Sequence, residues 1–248
     1  MVLQSAATLL PLSLTADENP VNDISSDIST KNNISTNIPN YRQGLGQNSP
    51  AGDGSGLILP WHQITNPTWQ GDEAKIRQGL PFTVLAPLWQ MFLLGDGAPT
   101  RHLQLLTQGE ITVDVVAMTP IGDSDDQAPA DIAAIAAPRI RRQIWLRSRR
   151  TGEVFSHATS WWSAHQIGQH LSDPSLPIWV SLNQKYTELY RDLKGVYYGE
   201  CTGLSEQFQA DGPYWGRHYL LWHGGKPITM IYEIYSPNLS NYLGADHL

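Results

Sequence analysis

The chain has 248 residues, of which 41% are hydrophobic and 16% charged, with a net charge of −7. That supplies one sizeable core and argues against polyanion binding by the whole molecule, so no nucleic-acid partner is expected. One cysteine, Cys201, excludes an internal disulfide framework and a multi-cysteine metal site, and it fits a reducing compartment. The opening stretch MVLQSAATLLPLSL is mildly apolar, but no Lys or Arg precedes Lys31, so the positive start of a secretory leader is missing. No apolar run reaches the roughly 18 residues that a membrane-spanning helix needs, and a cytoplasmic monomer is expected.

Residues 1–56 read as a disordered or loosely packed extension, because Ala16 to Gly56 is rich in Asn, Ser, Asp, Thr, Gly and Pro with only isolated Ile. The stretch GLGQNSPAGDGSG loosely resembles a phosphate loop. It follows no strand and lacks the terminal Gly-Lys-Ser/Thr, so it gives a nucleotide site little support. The folded domain is placed at 57–248. Thr83 to Leu94 predicts a buried helix bent near Pro87, and Thr100 is a candidate cap for a second helix, RHLQLLTQ. Ile111 to Met118 alternates as a strand, and Asp123 to Ala137 reads as an acidic, Ala/Pro-rich connection. RIRRQIWLRSR and EVFSHATSWW flank Thr151-Gly152 as a hairpin. Short helices follow at 165–171 and 178–186, then mixed strand and turn signals from Leu189. GRHYLLWHGGKPITMIYEIYSP forms a closing hairpin about Gly224-Gly225, and Asn238 to Leu248 reads as a tail. The class is α+β: a single antiparallel β-sheet with helices packed on it.

Strand alternation sorts the charges. Arg142 shares a face with Ile140, Ile144 and Leu146, whereas Arg139, Arg141, Gln143, Arg147 and Arg149 share the other, which is expected to meet solvent. A guanidinium aimed into a core needs an anionic partner, either a protein carboxylate or a ligand carboxylate. In the last hairpin, pairing His223 with Lys226 sets Gly216 opposite Glu233, and puts Glu233 on a face with Leu220 and Trp222. Glu233 would then border open space, as a ligand group or as the ion-pair partner of Arg142. Adjacent Trp161 and Trp162 point to opposite faces, one into the core and the other to an edge or an interface. His165 and His170, and likewise His218 and His223, do not share a face, so they fit surface or satisfied core positions better than a metal site.

GDGAPTRHLQLLTQ, RQIWLRSRRTGEVFSHATSWW, LYRDL and YWGRHYLLWHGGKPITMIYEIYSP occur in that order. Together they resemble the chorismate pyruvate-lyase family, in particular its longer cyanobacterial-type members, over residues 82–237. The resemblance implies an antiparallel sheet with helical flaps over an enclosed ligand. It also implies a cofactor-independent lyase that removes pyruvate from chorismate, giving 4-hydroxybenzoate for quinone rings of the plastoquinone or ubiquinone type. By position it places the family's carboxylate-binding arginine on Arg142, its hydroxyl-binding glutamate on Glu233 and a loop contact on or near Ile178. Ala98 or Pro99 stands where the family often has an aliphatic residue or Met. Arg217 and Arg101 are candidates for the second carboxylate of chorismate. The same fold also serves as an effector-sensing module of transcription regulators. The first 56 residues lack the helical periodicity of a helix-turn-helix, which favours the enzyme.

Overall fold

The computed structural model describes residues 60–79, 85–171, 173, 178 and 188–246. The predicted extension 1–56, its glycine-rich stretch and most of the predicted helix 178–186 lie outside these residues. Seven strands form one sheet: β1 (Trp69–Gly71), β2 (Ile111–Gly122), β3 (Arg139–Ser148), β4 (Val154–Ser163), β5 (Tyr190–Gly199), β6 (Tyr214–His223) and β7 (Lys226–Tyr235). Their order is β1-β5-β6-β7-β4-β3-β2, and every pair is antiparallel. The two predicted hairpins, β3–β4 and β6–β7, join through β4 and β7 at the centre. The class is therefore the α+β sheet read from the sequence.

Helices α1 (Glu73–Gln78), α2 (Pro87–Leu94) and α3 (Pro99–Thr107) precede most of the sheet. Trp89, Phe92, Leu93 and Leu103 from α2 and α3 pack with Ile144, Leu146, Ala158 and Tyr235 on one face. The opposite face is covered by Trp61, Ile64, Ile132 and Phe208, which pack with Trp161, Met230, Tyr232 and Ile234. Both faces of the central strands are thus covered, and every residue of β4 is buried.

This double cover corrects several sequence expectations. The second face of β3 does not meet solvent: Arg141 is 1% exposed and Gln143 is also buried. The acidic 123–137 connection folds back over that face, where one Arg141 nitrogen donates to both carboxylate oxygens of Asp126 at 2.8 and 2.9 Å. Trp161 and Trp162 are both fully buried; their indoles donate to Asp126 and Ser160. Pro87 opens α2 rather than bending it, because a missing N–H is harmless in the first turn. Thr100 is buried inside α3, which starts after Ala98 without a side-chain cap. The expected tail folds back: Leu239 and Leu243 are buried, and Trp89 and Trp215 donate to the Gly244 carbonyl and Asp246 carboxylate.

The closing hairpin keeps His223 opposite Lys226, but its ladder shifts by one residue between Leu221 and Trp222. Trp222 faces Pro227 across this bulge, and proline has no N–H for the ladder. Beyond it Arg217, not Gly216, stands opposite Glu233. A one-residue slip exchanges the faces of a whole strand. Arg217, Tyr219 and Leu221 therefore share the face of Glu233, in place of Leu220 and Trp222. Gly216 opens no space beside the carboxylate; a Cβ there would lie 2.9 Å from Ile64 Cδ1 and 3.0 Å from the Glu233 carbonyl oxygen.

Candidate functional site

A cavity of about 440 Å³ lies between the helix-covered face of the sheet and residues 96–101 at the start of α3. Its size falls within the roughly 300–1,000 Å³ of small-molecule sites. Ile144, Leu146, Ala158, Leu221 and Ile231 supply apolar wall, and Arg142, Arg191, Arg101, Glu233, Tyr219 and Ser160 supply polar groups.

The strand register sets the spacing. Arg142, Ser160, Ile231 and Tyr219 form one cross-strand row; Ile144, Ala158, Glu233 and Arg217 form the next row on the same face. Arg142 and Glu233 are two strands and two residues apart, so their Cα atoms are about 12 Å from each other on standard sheet dimensions. Their side chains enter one cavity from opposite sides, with Ala158 between them as a short floor.

Arg142 is 1% exposed. Burial pulls its guanidinium down to about 10, opposed by the charge of Asp173, so it remains a cation at neutral pH. Glu233 is 4% exposed and surrounded by donors. Arg217 Nε donates to its Oε2 at 2.8 Å, Tyr235 donates to the same oxygen, and Tyr219 donates to Oε1 at 2.9 Å. Burial pushes this carboxyl up, but the charges of Arg217 and Arg191 and the hydrogen bonds from Tyr235 and Arg217 outweigh it and hold it below the ordinary value. The same grouping raises the two phenols, chiefly through burial and also through the Glu233 charge. Glu233 is therefore a fixed anion with a strong preference for accepting hydrogen bonds.

The structure brings four of the five sequence candidates to one cavity: Arg142, Glu233, Arg101 and Ile178 line it. Arg101 is exposed at the rim, and Ile178 is half-buried against the apolar side chains of the sheet. Arg217, expected among the ligand contacts, stands behind Glu233 instead. It is fully buried, and its Nη1 donates to the carbonyls of Leu93 at 2.6 Å and Phe92 at 3.3 Å. The protein ion pair that the sequence left open for Glu233 thus exists, with Arg217 in place of Arg142. Ala98 and Pro99 lie on the cavity wall.

Sequence reasoning missed Arg191, Tyr219, Tyr235 and Ser160. Tyr219 was hidden by the bulge, which turns it toward Glu233. Arg191, on β5, had no alternating pattern to reveal its face: the β5–β6 ladder also shifts, between Leu193 and Gly195. Its guanidinium lies 4.5 Å over the Tyr219 ring. The described residues contain no cluster of His, Cys, Asp and Glu able to hold a metal ion, and no described helix is long and apolar enough to cross a membrane.

Known proteins resemble this chain over the same region. The family model described as chorismate pyruvate-lyase Rv2949c-like matches residues 93–243. The uncharacterized protein ycf21 of Cyanophora paradoxa is 37% identical over 169 residues, covering 68% of this chain and 87% of its own. The ycf21 protein of Porphyra purpurea is 34% identical over 155 residues, covering 62% and 84%. Among solved structures, the effector domain of PhnF from Mycobacterium smegmatis aligns at a TM-score of 0.45 and 12% identity, covering 59% of this chain and 92% of that one. The matched segment runs from the end of α2 to the helix after β7 and holds Arg142, Arg217 and Glu233. This chain belongs to the chorismate pyruvate-lyase Rv2949c-like family.

Proposed function

We propose that the protein is a chorismate pyruvate-lyase, converting chorismate to 4-hydroxybenzoate and pyruvate. The observation that carries this reading is the pair of opposed groups in one cavity: the Arg142 guanidinium on one side and the triply hydrogen-bonded Glu233 carboxylate on the other. A planar guanidinium suits the ring carboxylate of chorismate, and a fixed carboxylate suits the hydroxyl at the opposite end of the ring.

In the proposed reaction the C3–O bond of the ring breaks. The hydrogen on C4 moves to the methylene of the departing enolpyruvyl group, which becomes the methyl of pyruvate. The electrons of the C4–H bond complete the aromatic ring, and those of the C3–O bond go to the departing oxygen as its carbonyl forms. Atoms and electrons balance within the substrate. A carboxyl held below its ordinary pKa is a weak base, so Glu233 acts by orienting the hydroxyl, and the hydrogen passes within the substrate. Arg217, Tyr219 and Tyr235 keep that carboxylate in place, and the cavity walls hold the reactive conformer away from water.

The test is to mix the purified full chain with chorismate and follow 4-hydroxybenzoate by absorbance and pyruvate by a coupled assay. Equal amounts of both products are expected, at a rate above the uncatalysed decay. Tight binding of 4-hydroxybenzoate with no product from chorismate would instead make the cavity a sensor of small acids.

A further inference from the structure

Chorismate carries two carboxylates, and Arg142 accounts for one. Of the arginines named from the sequence for the second, Arg217 sits off the cavity wall, with Nε and Nη1 committed and its unpartnered Nη2 sealed in the core. Arg101 is exposed, where a charge contact is weak. Arg191 differs from both. It is half-buried and on the wall, and its Nη1 donates to the carbonyls of Gly95 at 3.1 Å and Gly97 at 2.5 Å. Its Nε is buried with no hydrogen-bond partner among the described residues. Its Nη2 makes no hydrogen bond among the described residues and, unlike Nε, is not sealed from the cavity, so it is the donor left for a ligand anion.

Position gives the second argument. Arg191 lies over the Tyr219 ring, and the Tyr219 hydroxyl donates to Glu233. One aromatic ring therefore separates the Arg191 guanidinium from the carboxylate assigned to the substrate hydroxyl. On the sheet, Arg191 pairs with Leu221, one row beyond Arg142 on the side away from Glu233. Arg142, Glu233 and Arg191 thus occupy a triangle, with Arg191 off the line between the other two. The enolpyruvyl arm of chorismate leaves the ring carbon next to the carbinol, so its carboxylate also lies off the ring's long axis, near the hydroxyl end.

We propose that Arg191 is the specificity residue for the side-arm carboxylate, so that the site selects a dianion over an aromatic monoacid. This rests on the chorismate reading above. Because the same guanidinium holds the Gly95 and Gly97 carbonyls, an arriving carboxylate would join the ligand to the loop leading into α3.

The experiment compares two stable ligands by calorimetry on the full chain. One is 4-hydroxybenzoate. The other is 3-(carboxymethoxy)-4-hydroxybenzoate, which adds an unreactive carboxylate arm beside the hydroxyl. Arg191→Gln should weaken the dianion by about 10-fold or more and the monoacid by less than about threefold, the scale of one charge-assisted hydrogen bond. Arg191→Lys should show a smaller loss with the same preference, and it supplies the comparison if Arg191→Gln does not fold. Arg149→Gln, exposed and outside the cavity lining, should change neither ligand by more than about threefold. Equal losses for both ligands would reduce Arg191 to a loop fastener, and no loss would remove it from the site; either result overturns the inference. A wild-type protein that binds neither ligand would overturn the chorismate reading itself.

Discussion

Arg217 Nε donates to Glu233 Oε2 at 2.8 Å, with the two side chains 0% and 5% exposed. The pair joins neighbouring strands of one hairpin, and Arg217 also holds the backbone carbonyls of α2. The carboxylate in the middle of an apolar strand is thus tied to the helix that roofs the sheet. Removing one member of such a pair leaves the other as an uncompensated buried charge.

Arg217→Leu should therefore lower the unfolding free energy by about 3–5 kcal/mol, and Glu233→Leu by a similar amount. The double variant should lose much less than the sum, because no orphaned ion remains. Urea unfolding of all four proteins checks this, and additive losses would show that the two groups do not depend on each other.

Arg142 is expected to behave in the opposite way. Burial destabilises its charge, and Asp173, whose charge offsets this, is exposed and can be left to water. Arg142→Met keeps an apolar stem and removes the desolvated cation. Its melting temperature should match or exceed the wild type, while its affinity for 4-hydroxybenzoate should fall by about 10–100-fold. A collapsed melting temperature, or unchanged binding, would move Arg142 out of the binding role.

The contrast between these arginines shows where the sequence was legible. Arg142 sits alone among aliphatic residues in a clean period-two strand, so its inward direction follows from alternation alone. Arg141 follows the same rule, yet its burial depends on the 123–137 connection, which has no periodicity of its own and folds back through Asp126. Alternation puts Glu233 on the correct strand but pairs it with the wrong face of β6, because it does not report a bulge beside Pro227. The site's long-range contacts, Arg191 to the Gly95–Gly97 loop and Tyr219 to Glu233, follow from that register and could not be read before it.

Gly216 tests the corrected register. A Cβ there meets Ile64 Cδ1 at 2.9 Å and the Glu233 carbonyl oxygen at 3.0 Å. Gly216→Ala should cost about 1–3 kcal/mol of stability by overpacking. Adding Ile64→Val should recover only part of it, because the second contact is backbone. The expected pairing of Gly216 with Glu233 would instead have left room for the methyl group. Thermal unfolding separates the two cases, and a neutral Gly216→Ala would restore the unshifted ladder.

The opposite face of the sheet predicts how stability depends on pH. His157 is 1% exposed, packed against Trp145 and His62, and its Nδ1 has no hydrogen-bond partner among the described residues. Burial, with a smaller contribution from His62, holds its pKa well below the ordinary histidine value. His62 and His102 are shifted in the same direction, mainly by burial. In the unfolded chain these rings take up protons near pH 6.5, whereas the folded protein resists doing so. Below that pH the unfolded state binds more protons, so acid favours unfolding. The stabilisation is complete above about pH 6.5 and is lost as the pH falls, at about 1.4 kcal/mol per pH unit for each histidine that stays neutral in the fold. Glu233 adds a separate loss at lower pH: its depressed carboxyl stabilises the fold above the ordinary glutamate value of about 4.3 and fails as it protonates below that. Urea unfolding between pH 7.5 and 5 should therefore show falling stability above the range where Glu233 protonates. His157→Phe should remove one proton's share of that slope and leave the loss near pH 4 in place. An unchanged slope in His157→Phe would mean that His157 titrates normally, and that its packing against Trp145 and His62 leaves room for water.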